Sequence, residues 1–184
     1  CELSREKENL SPLTHLYLGP SYEDKETETI LKKAAYKFHR SDDIEKEVAN
    51  LLHKHEVVAR FKDRMEFGAR ALGNRSILAH PADRNVIKTI NEMIKNRDFW
   101  MPFSPSVIAD RANEYFINPK KFDAPYMIMS FDIKIDHDKI YAASHPYDKT
   151  IRPQVVHKDW NPDYYKLIKY FEELTGIGAI LNTS

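Results

Sequence analysis

The chain has 184 residues, 42% hydrophobic and 11% aromatic, with 28 basic and 28 acidic side chains. That composition supports a packed core and excludes long disorder. Zero net charge excludes a general polyanion binder, so any anion site must be local. One cysteine, Cys1, excludes an internal disulfide framework. No apolar run reaches membrane-spanning length, and "CELSREKENL" carries no secretory core. A soluble, cytoplasmic protein is expected. The start at Cys1 and the closing run "AILNTS" suggest a piece of a longer chain.

Residues 1–20 read as a polar N-terminal extension, ending in a Gly-Pro turn. Ser21 is placed to cap a helix, with Asp24 reaching back; Ile30, Leu31, Ala34, Ala35 and Phe38 follow at helical spacing. Ser41 is the expected cap of a second helix, whose face carries Ile44, Val48, Leu51 and Leu52. "EVVARF" and "SILAH" read as strands on either side of an arginine-rich turn.

From Arg84, Val86, Ile87, Ile90, Met93 and Ile94 mark an amphipathic helix that ends near Lys95–Arg97. The two prolines and the aromatic residues of "DFWMPFSPSV" stop that helix. "YMIMSFDIKI" and "KIYAAS" are expected as strands around a solvated "DHD" turn, in which Asp132, Asp136 and Asp138 lack the spacing of a calcium loop. "IRPQVV" is a short strand with an edge or irregularity at Pro153. Asn161-Pro162 opens a last helix with Tyr164, Leu167, Ile168, Phe171 and Leu174 inward and Thr175-Gly176 as its stop. "IGAIL" returns as a strand. The sum is an α+β (mixed α/β) fold without strict βαβ alternation.

The chemistry concentrates in "RMEFGARALGNRS". Arg64, Arg70 and Arg75 stay protonated and bind carboxylate or phosphate through paired hydrogen bonds. Gly68 and Gly73 let backbone N–H groups turn inward as an anion nest. Asn74 adds an amide, and Glu66 is placed to hold an arginine or position a cation. A phosphate-bearing small molecule suits this set; a surface loop laced with ion pairs suits it equally. Lys95 and Arg97 form a second basic pair, with Ser104 and Ser106 offering hydroxyls nearby; complementing a helix dipole accounts for the pair as well. His145, Asp148, Arg152 and Gln154 form a third polar cluster, whose plain reading is a loop and edge strand. His53 and His55 read as a helix-end surface pair. No metal signature and no Walker-type phosphate loop occurs.

"RMEFGARALGNRSILAHPADRNVIKTIN" resembles the C-terminal domain of nodulation protein U-type carbamoyltransferases. "IKNRDFWMPFSPSVI", "IRPQVV", "NPDYYKLIKYFEELTGIGAILNTS" and "YLGPSYED" match further blocks of that family in order, so the resemblance spans nearly the whole chain. It implies a YrdC-like fold: a twisted mixed sheet with flanking helices and a concave basic cavity, residues 1–184 forming one domain. It implies binding of carbamoyl phosphate and ATP, with Mg2+, and formation of carbamoyl-adenylate. A separate N-terminal transferase domain would pass the carbamoyl group to an acceptor hydroxyl. By the same resemblance, Arg70, Asn74, Arg75 and Glu66 would hold carbamoyl phosphate. Lys95, Arg97, Ser106, Arg152 and Ser184 would hold the nucleotide, with Lys95, Arg97 and Arg70 acting in catalysis. No metal ligands and no membrane are implied. The alternative is a nucleotide- or RNA-binding YrdC-like module without turnover, which zero net charge disfavours for nucleic acid. Ala69 stands where the family usually has Pro, Asp63 and Ala59 where Gly is common, and Ser184 precedes the usual Phe-Asn.

Overall fold

The computed structural model describes residues 13–93 and 101–184. Helices α1 (Asp24–Lys33) and α2 (Ile44–His53) precede strands β1 (Val58–Phe61) and β2 (Arg75–Ala79). Helix α3 (Arg84–Met93) leads toward β3 (Ser104–Ile108), followed by the single-turn α4 (Ala112–Tyr115). Strands β4 (Phe131–Asp132), β5 (Thr150–Ile151) and β6 (Gln154–Val156), helix α5 (Pro162–Thr175) and β7 (Ala179–Thr183) complete the order. Five strands form one mixed sheet in the order β1-β2-β7-β3-β6, antiparallel except for the β3–β6 pair. Strands β4 and β5 pair separately.

The register assigns the faces. Leu78, Ile180 and Ile108 share one face and pack against Val48 and Leu52 of α2 and Leu167, Ile168 and Phe171 of α5. Ala79 and Leu181 share the other, against Val86 and Ile90 of α3, Phe103, Ala142 and Ala143. Burial of each large side chain on α5 contributes about 1.5–3 kcal/mol.

Helix α5 forms as its sequence dictates: the Asn161 side chain accepts from the Tyr164 N–H, Pro162 occupies the first turn, and Gly176 closes it at φ +73. Leu174, expected inward, is exposed. The caps of the first two helices differ from expectation. Helix α1 starts after Glu23 without a side-chain cap, and none of its residues is buried. Asp43 rather than Ser41 caps α2, accepting from the Lys46 N–H. Asp43 wins because it sits adjacent to the first helical residue.

Two corrections concern strands. Most of "KIYAAS", expected as a strand, instead falls in a 3-10 stretch over His137–Ala143, kinked at Ile140 (φ -133) and opened by Asp136, whose side chain accepts from the Asp138 N–H. Of "YMIMSFDIKI" only Phe131–Asp132 enter a strand, with Met127 at φ +56. Strand β3, which the proline-rich sequence did not suggest, lies between β7 and β6. Its pairing with β6 begins only at Ser106, so Pro105 stands where the strand has one neighbour. Pro153 separates β5 from β6, and β6 is the sheet edge. The expected end of α3 at Lys95–Arg97 lies outside the described residues.

His80, at the end of β2, is buried, stacks on His55 and meets the edge of Phe171. Burial, then the neighbouring His55, pushes its pKa down to about 4. The unfolded chain therefore takes up this proton near pH 6.5 while the folded chain does not. Stability from this group is whole above that pH and is lost as pH falls toward 4. Urea titrations at pH 7 and pH 5 are expected to show that loss in the wild type and a smaller one in His80→Gln.

Gly73 takes φ +113, and a Cβ there would lie 2.4 Å from the Tyr164 ring. Gly68 takes φ +114 with open space around it. Gly73→Ala is expected to cost about 3 kcal/mol or more in denaturant unfolding, and Gly68→Ala only about 1–2 kcal/mol of backbone strain.

Candidate functional site

Between β1 and β2 the chain makes the arginine-rich loop, and a buried carboxylate organises it. Glu66 Oε1 accepts from the backbone N–H groups of Leu72 at 2.8 Å, Asn74 at 2.7 Å and Arg75 at 3.1 Å. The glycines supply the curvature that lets these amides converge. Outside this nest, the Leu72 carbonyl accepts from the Gln154 amide (2.7 Å) and the Tyr17 hydroxyl (2.7 Å). Burial pushes the Tyr17 phenol up to about 12, so it remains a donor. Asn182 donates to the Ala71 carbonyl and to Ser106 Oγ, both at 3.1 Å, and Ser106 Oγ donates to Gln154 Oε1 at 2.7 Å. Polar side chains from β3, β6 and β7 thus pin the base of the loop onto the sheet.

Several expected ligand contacts are engaged inside the protein. The Asn74 side chain donates to the Arg64 carbonyl (2.8 Å) and accepts from Asn161 (2.9 Å). The Arg75 guanidinium donates to the carbonyls of Lys62 (2.7 Å), Asn74 (2.9 Å) and Asp63 (2.9 Å) and lies 3.6 Å over the Phe61 ring. Arg64 donates to the carbonyls of Leu18 (2.9 Å) and Gly19 (3.1 Å), tying the N-terminal segment along the loop. Glu66 and Ser106 are buried in the bonds just described, and Ser184 is exposed at the last residue. Lys95 and Arg97 lie outside the described residues.

Arg70 differs. It is exposed and lines an open cleft of about 490 Å³ with Arg152, Ser104, Ser130, His145, Asp148 and Thr150, above a floor that includes Phe103 and Ile151. Arg70 and Arg152 come from segments more than 80 positions apart and share this basin. Asp148 accepts from the Thr150 N–H (2.9 Å) and hydroxyl (2.8 Å), and these bonds hold its carboxyl below the usual carboxylate range. His145 Nδ1 lies 3.1 Å from Asp148 Oδ1. Cations, hydroxyls and a paired imidazole in one basin suit a phosphorylated ligand. Asn74 instead lines a separate cavity of about 240 Å³ with Arg60, Lys62, Arg64 and Asn161, and Arg75 lines neither. Among the described residues, no group of three or more His, Cys, Asp or Glu is arranged to hold a metal ion, and no helix is long and apolar enough to cross a membrane.

The sequence profile of the carbamoyltransferase C-terminus family matches residues 49–184. The chain belongs to that family. An uncharacterised protein of Methanocaldococcus jannaschii is 38% identical over 189 residues, covering 100% of this chain and 30% of that protein. Nodulation protein NolO of Bradyrhizobium diazoefficiens is 34% identical over 177 residues, covering 94% of this chain and 32% of that protein. The chain therefore spans about a third of these relatives' length. In fold it is similar to full-length HypF, crystallised in a phosphate- and nucleotide-bound form: TM-score 0.56, 18% identity, 80% of this chain and 18% of that one. The likeness to HypF agrees with the expected α+β class and mixed sheet. Asp63 takes φ +50, a conformation that glycine adopts more readily than Asp.

Serine, histidine and threonine of the cleft carried little weight in the sequence because each is an ordinary polar residue alone. The signal was the phase of His145, Asp148 and Thr150 around one turn. Glu66→Ala would strand three N–H groups, so it is expected to cost about 3 kcal/mol or more in urea unfolding at pH 7. Glu66→Gln, which keeps an acceptor oxygen, is expected to cost less.

Proposed function

We propose that the Arg70–Arg152 cleft binds carbamoyl phosphate and ATP and forms carbamoyl-adenylate, which a separate transferase domain passes to an acceptor hydroxyl. The observation that carries this reading is the convergence of two cationic side chains from distant segments on one open basin. Family membership supports carbamoyl transfer as the chemistry, and the bound phosphate and nucleotide of HypF support a nucleotide in this fold.

Each residue then has a role. Arg70 takes the phosphate of carbamoyl phosphate, and Arg152 faces it or the ATP phosphates. Lys95 and Arg97, four to six positions before the cleft-lining Met101, serve the triphosphate. Ser104 offers a hydroxyl to phosphate or ribose, while the Thr150 hydroxyl is engaged with Asp148. Mg2+ would be carried by the ATP phosphates rather than by a protein cage, and would add positive charge that helps neutralise the triphosphate. Glu66, Asn74, Arg75 and Ser106 act by holding the loop and strand that present Arg70 and Ser104. Fixed positive charge lets the carbamate oxygen approach the α-phosphorus, because phosphoryl-type transfer rests on alignment and charge neutralisation.

ATP–pyrophosphate exchange that requires carbamoyl phosphate is the expected activity. Arg70→Ala and Arg152→Ala should each weaken binding of one substrate about tenfold or more by calorimetry, with thermal stability near wild type, since both guanidiniums are exposed. Unchanged affinity for both substrates in both variants would remove the assignment.

A further inference from the structure

The cleft beside Arg70 and Arg152 is furnished for phosphates, and it offers little to a nucleobase. Of its lining residues only Phe103 is aromatic, and Phe103 is 4% exposed. Next to the cleft lies a shallower hollow of about 350 Å³, whose lining includes Asn118, Lys120, Phe122, Met129 and Phe131. Ser130 lines both. Resting on the proposed use of ATP, we infer that this hollow seats the nucleobase, with the Phe122 ring as its stacking platform.

Strands β4 and β5 join the two hollows. Phe131 of β4 stands opposite Ile151 of β5, and Asp132 opposite Thr150. Ile151 and Thr150 line the phosphate cleft, and Phe131 lines the hollow. One strand spacing, about 4.8 Å, therefore separates the two linings. A ribose attached to phosphates in the cleft crosses that step at Ser130.

The platform is fixed by the fold. The Asn118 side chain closes the loop that carries it: Nδ2 donates to the Phe122 carbonyl at 2.7 Å, and Oδ1 accepts from the Phe122 N–H at 3.1 Å. The Lys121 N–H donates to the Asn118 carbonyl at 3.1 Å, with Lys121 at φ +52. The Ile117 N–H donates to the Asp132 carbonyl at 2.9 Å, which hangs the loop from β4. The Phe131 ring lies 4.7 Å from that of buried Phe116, centroid to centroid. Little ordering is left to oppose a ligand.

The lining selects a flat, uncharged ring. Phe122 is 52% exposed, so much of it is open to a stacking partner. The hollow has no carboxylate, and its one charged group is the Lys120 ammonium, 5.9 Å from the Phe122 centroid. Aromatic and thioether surface suits the π-face of a base, and an ammonium suits the acceptor nitrogens at the edge of a purine. Base-on-aromatic stacking tolerates any base, so Phe122 separates a nucleotide from bare phosphates rather than adenine from guanine. A patch for docking another protein has no need to share a wall and a strand pair with the phosphate cleft.

The test compares ATP with inorganic tripolyphosphate, which carries the phosphates without the base, on the 184-residue chain. Calorimetry at fixed salt and Mg2+ covers the wild type, Phe122→Ala, Phe122→Trp and Ile128→Ala. Ile128 is a control, 70% exposed and outside both linings. Phe122→Ala should weaken ATP binding about fivefold or more and leave tripolyphosphate within about twofold. Phe122→Trp, which keeps a stacking face, should hold ATP affinity within about threefold of wild type. Its added indole emission should respond to ATP and not to tripolyphosphate. Ile128→Ala should match the wild type with both compounds. A smaller loss for ATP in Phe122→Ala, or an equal loss for tripolyphosphate or in Ile128→Ala, overturns this inference alone. A wild-type chain that binds tripolyphosphate but not ATP does the same. Failure of the wild-type chain to bind either compound overturns the reading beneath it as well.

Discussion

One carboxylate oxygen carries the architecture of the loop between β1 and β2. Glu66 Oε1 collects three backbone N–H groups that have no ladder to join, and burial makes the loss of any one of them costly. Around that oxygen the chain bends through Gly68 and Gly73, and Gly73 settles against the Tyr164 ring of α5. Bonds from Tyr17, Gln154, Asn161 and Asn182 then fasten residues 71–74 to the N-terminal segment, two strands and a helix start. Arg70 stands at the exposed side of this fastened base. A flexible, cationic side chain is thereby carried on a backbone with little freedom, which lowers the cost of ordering it around an anion.

The same loop shows how far a sequence can be read. Helix α5 and strands β1, β2 and β7 follow from periodicity and capping alone; on α2 only Val48 and Leu52 of the expected face are buried, while Ile44 and Leu51 are exposed. Strand β3 was hidden because proline argues against a strand between two neighbours, and only the late start of its pairing with β6 makes Pro105 tolerable. The 3-10 segment at 137–143 was hidden because its run of four consecutive apolar residues, Ile140–Ala143, resembles a short buried strand, while one Asp136 side-chain bond decides the turn. At the site, composition located the arginines but not their partners. Arg70 and Arg75 lie five positions apart, yet Arg75 ends on three carbonyls and a phenyl ring and Arg70 opens on a cleft. That difference arises from tertiary contacts with residues 20, 61 and 63, which no local pattern encodes.

Since the chain spans about a third of its relatives, activation of the carbamoyl group and its delivery to an acceptor belong to different parts of such proteins in the proposed scheme. Separate placement has a physical advantage. A cleft arranged for several phosphates is strongly polar and wet, whereas a reactive mixed anhydride is best passed on where water is excluded. The zero net charge of the chain agrees with a locally concentrated cationic site rather than a broad electrostatic surface.

The most direct measurement is a crystal structure of the chain soaked with carbamoyl phosphate and a non-hydrolysable ATP analogue. Phosphoryl density within hydrogen-bond reach of both Arg70 and Arg152 is the predicted result. Phosphoryl density confined to the neighbouring cavity beside Arg60 and Asn161, with the Arg70–Arg152 basin holding only solvent, would contradict it.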